Sequence, residues 1–499
     1  MRFLFSIPRL VMRVSGARSL SGSSFNDFVA QFVKNIIIAS KIPEDDESTS
    51  LCSSTPILPL PLCFKDLVEE SCIDPKSAIR YYQSRSVLGI SDLQVATLNH
   101  YAKKGIDVSD AKCLFTPSEH DVVKMMIKML KKQGGSVIMT IPTFGLFFNA
   151  FFNYKIPINL AKLTKDTDWK LTPKILRDTL LAADNPGLLV FINPDNPTGK
   201  SYSKEEIEAL ADEILSYNEQ RKKEGKRPLL VLNDEASRRI KFTEGELFSL
   251  ASVKGMEEYA ITSSTSSKDL APGLAISHAI GPRSVIDSML DAMREKKIPD
   301  ILSTDRGANY ISQYFLAAIL SGRFKTEFED HVEKSIAIYA DNLGVIGETI
   351  DDINEGLQDK FKDILGKRNF LDIVVMPDGG LQCLIQARGI YGLEFPDGYK
   401  HLSNPAQRTI NSSVDLVYYL QETAKVRLLP GEMFGFDGHE MMFRVTISKD
   451  KEVLQDAFGR IKKSLDDLSL GRQSSVHPLS EITLYKSAKV SKDSGISIN

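Results

Sequence analysis

Between about residues 77 and 280, short apolar runs alternate with longer segments whose apolar residues recur at helical spacing. Residues 136–140, 187–192 and 229–232 are β-branched or leucine-rich, and each stops at turn residues. Runs of that kind predict buried parallel strands. The clearest helix starts at Ser203. Glu206, three residues on, completes a capping box ahead of Ile207, Leu210, Ala211 and Ile214, which lie on one helical face. Strands that alternate with helices in this way predict βαβ units and a parallel sheet covered on both faces.

The pattern changes toward the C-terminus. A charged, helical stretch around residues 325–365 leads to apolar runs at 370–376 and 381–386, which flank the hairpin signal Pro377-Asp378-Gly379-Gly380. The expected fold is α/β: a three-layer large domain with a mainly parallel sheet over residues 77–325. A small α+β C-terminal domain over 326–468 completes it, joined by an N-terminal arm at 27–76. In the arm a helix is expected over residues 28–39, before the irregular, proline-rich Pro56-Ile57-Leu58-Pro59-Leu60-Pro61. Residues 469–499, rich in Ser and Lys, are expected to be a disordered tail.

Composition narrows the function classes. The chain has 499 residues, 42% hydrophobic and 25% charged, with a net charge of -3. That length implies two domains with tails, and a charge near zero gives no electrostatic support for nucleic-acid binding. Five scattered cysteines form no CxxC pair, so neither a disulfide frame nor a metal site is expected. No apolar run has the ~20 residues of a membrane span. Residues 1–26 hold Arg2, Arg9, Arg13 and Arg18 and no acidic residue. Arg2, Arg9 and Arg13 share one helical face opposite Phe3, Leu4, Ile7, Leu10, Val11 and Val14. This is the pattern of a mitochondrial transit peptide, so the expected location is the mitochondrial matrix, with the cytoplasm as alternative.

Three segments carry candidate chemistry, each just past an apolar run. Asn193-Pro194-Asp195-Asn196-Pro197-Thr198-Gly199 contains two X-Pro units that fix an extended turn and aim its Asn side chains. Asp234 follows residues 229–232; alone it reads more readily as a strand-end cap. Lys268, alone an ordinary surface lysine, is preceded by Thr265-Ser266-Ser267 and followed by Asp269-Leu270-Ala271-Pro272-Gly273-Leu274. An amide, a carboxylate and a lysine in this order are what a pyridoxal ring needs around it.

The order and residues of these segments resemble the active-site string of the fold type I, pyridoxal-phosphate (PLP) dependent aminotransferases of classes I and II, over roughly residues 80–465. The resemblance implies that Lys268 forms a Schiff base with PLP, Asp234 faces the pyridine nitrogen and Asn196 contacts the ring oxygen. Phe144, in Pro142-Thr143-Phe144, would stack on the ring. Thr265 and Ser267 would reach the phosphate. Arg444, in Phe443-Arg444-Val445-Thr446 after Pro430-Gly431, would fork onto a substrate α-carboxylate, with Asn196 beside it. It also implies a homodimer, to which Tyr81 or Tyr82 would contribute a cross-subunit phosphate contact.

The implied reaction moves an amino group between an amino acid and a 2-oxo acid. A PLP-dependent lyase or synthase in the same fold would share every one of these residues, and a non-catalytic scaffold is the rival from another class. Three departures from the family pattern bear on that choice. No arginine follows Lys268 in Gly273-Leu274-Ala275-Ile276-Ser277-His278, where spacing would place one at Ile276 or Ala275. Ser237 stands where a tyrosine is common. Thr116-Pro117-Ser118-Glu119-His120-Asp121-Val122 replaces a glycine-containing phosphate loop and brings Glu119 toward a dianion. Ser118, His120, Thr265 and Ser267 are the donors that would compensate, with Arg238 or Arg239 swinging toward the phosphate.

Overall fold

The computed structural model describes residues 13–15, 48–73, 86–294, 307–365, 369–401, 404 and 406–470. The helix expected over 28–39, Tyr81, Tyr82 and residues 471–499 lie outside them.

The large sheet is built from β1 (Arg13–Ser15), β2 (Ala111–Thr116), β3 (Ser136–Ile141), β4 (Ile158–Lys162), β5 (Pro186–Ile192), β6 (Leu230–Asp234), β7 (Ala260–Thr265) and β8 (Ser277–Pro282). Its spatial order is β1-β4-β3-β5-β6-β7-β8-β2. Only β8 runs against its neighbours, so the carboxyl ends of the other strands share one edge. Alternation along the strands divides the core. Val137, Met139, Leu188, Val190 and Leu232 belong to one buried cluster, and Ile138, Leu189, Phe191 and Val231 to the other. Both faces are therefore covered, and the three-layer expectation follows from the period-2 geometry of a strand. Truncating a residue such as Leu232, fully buried, to Ala costs about 2–5 kcal/mol.

Ser203 caps the helix Lys204–Lys223 as expected, with its hydroxyl accepting from the Glu206 backbone N–H at 3.2 Å and the Glu206 carboxylate accepting from the Ser203 N–H at 2.7 Å. The charged stretch at 325–365 is one helix of 41 residues, Lys325–Leu365. Beyond it β9 (Asp372–Val375), β10 (Gln382–Gln386), β11 (Leu429–Pro430) and β12 (Met442–Thr446) form the small sheet, in the order β9-β10-β12-β11. The hairpin at Pro377 joins its first two strands in antiparallel register.

Three expectations change at the ends of the chain. Residues Arg13–Ser15 are extended rather than helical, added in parallel to β4 at the sheet edge. Ser469–Leu470 pairs with Leu393–Glu394 instead of belonging to a free tail. The arm is not irregular at its base: Thr49–Ser50 pairs with Val426–Arg427, Leu51 is fully buried, and its carbonyl accepts from the Thr446 N–H at 2.9 Å. Residues 49–51 are thus a strand of the small domain.

Candidate active site

The parallel strands set the site at their common carboxyl edge, the place where ligands bind in open α/β sheets. Asp234 ends β6, Asn193–Gly199 follows β5, Pro142–Phe144 follows β3, and Ser266–Lys268 follows β7, which ends at Thr265. Ile192, Asp234 and Ser263 lie side by side across three neighbouring strands.

Asn196 and Arg444 come from separate domains, 248 residues apart, and meet. Arg444 Nη1 donates to Asn196 Oδ1 at 2.8 Å, and Nη2 donates to the Cys52 carbonyl at 2.7 Å. The guanidinium lies 5.0 Å from the Phe434 ring centroid, and Phe434 O in turn accepts from the Thr143 N–H at 3.0 Å. Arg444 is 5% exposed, its Nε has no hydrogen-bond partner, and no carboxylate pairs with it among the described residues. Burial pulls its pKa down to about 10. A buried cation without a counter-ion is costly, and an arriving carboxylate relieves that cost.

Lys268 is half-buried, and its Nζ donates to the Ser54 carbonyl at 2.9 Å. Desolvation lowers its pKa, aided by the Arg444 charge and opposed by Glu119 and Asp234. A lowered amine pKa favours the nucleophilic neutral form. Thr265 Oγ1 donates to Ser267 Oγ at 3.0 Å and accepts from the Ser267 N–H at 3.2 Å, so both hydroxyls sit in the turn that carries the lysine. Asp234 is buried, and its Oδ1 accepts from the Ala236 N–H at 2.8 Å. Burial, then the neighbouring Glu119 charge, holds its carboxyl well above the usual carboxylate range.

Other residues singled out in the sequence have different neighbours. Ser118 is exposed, and its hydroxyl donates to Asp121 at 2.9 Å. His120 is half-buried beside Lys124 and Asp121, and its pKa falls mainly by desolvation. The Phe144 ring packs edge-on against Phe147 at 5.3 Å. Arg238 and Arg239 are not available to a phosphate. Arg238 is paired with Glu235 and donates to the Leu247 carbonyl at 2.8 Å. Arg239 is paired with Asp269 at 2.6 Å and lies over Phe328 at 4.6 Å. Of the two positions for a missing arginine, Ile276 is 1% exposed in the core, whereas Ala275 is half-buried with φ of 46°. Sequence reasoning missed Cys52 and Ser54, which act through backbone carbonyls and leave no side-chain signal.

The donor set suits a pyridoxal phosphate: a carboxyl group at a strand end, a desolvated lysine with no carboxylate partner among the described residues, two hydroxyls beside it, and a buried guanidinium facing the same edge.

The family model described as aminotransferase class I and II matches residues 88–461. A bifunctional aspartate aminotransferase and glutamate/aspartate-prephenate aminotransferase from Petunia hybrida is 28% identical over 300 residues, 60% of this chain and 52% of that protein. The aspartate aminotransferase of Geobacillus stearothermophilus is 21% identical over 382 residues, covering 76% and 82%. The chain spans only about half the length of the two plant relatives, from Petunia hybrida and Pinus pinaster. An aspartate aminotransferase double mutant from Thermus thermophilus shares the fold with a TM-score of 0.63, at 19% identity, over 90% of this chain and all of that one. The aspartate aminotransferase from Rhizobium meliloti gives 0.65 at 17% identity, over 91% and 100%.

Proposed function

The chain belongs to the class I and II aminotransferases, a family dependent on PLP, and on that premise we propose that it moves an amino group between an amino acid and a 2-oxo acid. The observation that carries the reading is the buried Arg444 guanidinium, held by Asn196 and the Cys52 carbonyl with no carboxylate among the described residues. A scaffold gains nothing from such a charge. A substrate site does, because a guanidinium forks onto a planar carboxylate.

Bound PLP supplies the electron sink that allows an amino acid to lose its α proton. The residues of this chain do the rest. Asp234 would face the ring nitrogen, Thr265 and Ser267 would present hydroxyls to the phosphate, and Asn196 orients Arg444. Arg444 fixes the substrate carboxylate and with it the direction of the Cα–H bond. Lys268 Nζ carries the proton off Cα and returns it, a role that its lowered pKa favours.

The homodimer is supported by the habit of the family, and mitochondrial targeting by the arginine-rich, acid-free pattern of residues 1–26. Import into isolated mitochondria and light scattering of the purified chain test them separately. The activity itself is tested by incubating the PLP-loaded protein with single amino acids and measuring the 2-oxo acid formed. Formation of roughly one 2-oxo acid per site without an acceptor is the expected half-reaction. Carbon dioxide, ammonia or an eliminated side chain instead would assign lyase chemistry, and no product from any amino acid would contradict an enzyme.

A further inference from the structure

The helix Glu119–Gln133 begins with a carboxylate that the proposed reaction does not use. Strand β2 ends at Thr116, and its parallel neighbour across β8 is β7, so the helix start arrives at the same edge as Asp234. Ser263 lies directly across from Asp234 in the β6–β7 register, and its hydroxyl donates to Glu119 Oε1. Ser263 thus brings the Glu119 carboxyl against that of Asp234, within reach of a hydrogen bond between the two. Two carboxyl groups can share such a bond only with a proton between them, and like charges that close disfavour double ionisation.

The surroundings decide where that proton rests. Burial raises both groups. Asp234 is raised further by the charges of Glu119 and Glu235, against the Ala236 N–H that favours its ionised form, while the Ser263 hydroxyl and the Lys268 charge favour an ionised Glu119. Of the two carboxyls, Asp234 is the more strongly held toward its protonated form. That is the wrong form for a group meant to face a protonated ring nitrogen, where an anion is needed.

We propose that Glu119 is a positioning residue that takes the proton from Asp234 when a cationic ring nitrogen is placed beside it, leaving Asp234 anionic and hydrogen-bonded to the protonated Glu119. The O–H bond on Asp234 breaks as one forms on Glu119. The pair keeps one proton and one negative charge throughout, and none is exchanged with solvent. The inference rests on the reading of Asp234 as the cofactor-facing carboxylate, and it gives a function to the residue that replaces the usual glycine-containing loop.

Infrared difference spectroscopy at about pH 8, where ordinary carboxyls are ionised, tests it. The wild-type apoprotein should show the carbonyl band of one protonated carboxyl, absent from Glu119→Gln, in which the amide N–H donates to an ionised Asp234. On adding PLP the wild-type band should shift and persist. Glu119→Gln mimics the protonated acid, so its PLP dissociation constant should stay within about threefold of wild type. Glu119→Leu, without a donor, should weaken PLP binding about tenfold or more. No band in the wild-type apoprotein, a band that survives Glu119→Gln, a band lost when PLP binds, equal weakening by Gln and Leu, or wild-type affinity in Leu would each overturn the proposal. A wild type that binds no PLP sinks the cofactor reading as well, and the apoprotein band shows separately whether the proton-sharing pair exists.

Discussion

Arg444 reaches across the domain boundary to Asn196, 2.8 Å from guanidinium nitrogen to amide oxygen, and thereby ties the small sheet to the loop after β5. The contact fixes the guanidinium without neutralising it. Everything proposed about substrate follows from that asymmetry: the side chain is held in place, and its charge is still to be matched.

The first expectation is kinetic. Arg444→Lys keeps the charge and loses the planar fork. The Michaelis constants for amino acid and 2-oxo acid should rise and kcat/KM should fall by about tenfold or more, while PLP affinity hardly changes. Steady-state kinetics and a PLP titration of the same variant check it. Unchanged kinetics with lowered stability would make Arg444 a structural residue.

A ligand effect follows from the same buried charge. Any dicarboxylate or 2-oxo acid that pairs with Arg444 removes the cost of an unmatched cation and binds only the folded state. Saturation at about a hundred times Kd should add about 2.7 kcal/mol to stability, read as a raised Tm in wild type and not in Arg444→Met. An equal rise in both proteins would place the ligand elsewhere.

The motif residues were legible in the sequence because each sits next to a local signal. Lys268 lies beside its hydroxyls, Asn196 between prolines, and Asp234 at the end of a leucine-rich run. The parallel sheet was legible for the same reason, since runs such as 187–192 are apolar on both faces. What the sequence hid depends on tertiary register. Glu119 meets Asp234 only because β2 and β6 end at one edge, and the spacing had suggested a clash with phosphate instead. Arg238 and Arg239 stood as candidates for the phosphate, yet Glu235 and Asp269 hold them. The strand Ser277–Pro282 runs antiparallel within a parallel sheet, and its composition carries no mark of direction.

The phosphate end offers a paired substitution. Ile276→Arg drives a charge into the core and should lower Tm sharply, since a buried unpaired charge costs several kcal/mol. Ala275→Arg enters a half-buried position whose left-handed backbone already carries a Cβ. One added charge-assisted contact is worth roughly 1.5–3 kcal/mol, so PLP should bind about tenfold or more tightly. An unchanged dissociation constant in Ala275→Arg would show that other groups already satisfy the phosphate.

The pH dependence of stability points to Glu432. This carboxyl, 3% exposed, accepts from the Ser413 hydroxyl and from the Val414 N–H at 3.2 Å. Burial pushes it up to about 7 from 4.5. A raised acid stabilises the fold below its unfolded pKa, and that contribution is lost as pH rises through the folded value. Stability should therefore decline between about pH 4.5 and 7 by roughly 3 kcal/mol on account of this group. Glu432→Gln should flatten that part of the profile in urea titrations, against a residual slope from Asp195, raised to about 6 by burial. A slope identical to wild type would refute the assignment.

The central claim is that Lys268 holds PLP, and borohydride reduction tests it most directly. Reduction of the PLP-loaded protein, followed by proteolysis and mass spectrometry, should place the cofactor on the peptide containing Lys268. Lys268→Ala should fold, lose the adduct and yield no 2-oxo acid. Label on a different lysine, or no label from wild-type protein saturated with PLP, would contradict the account.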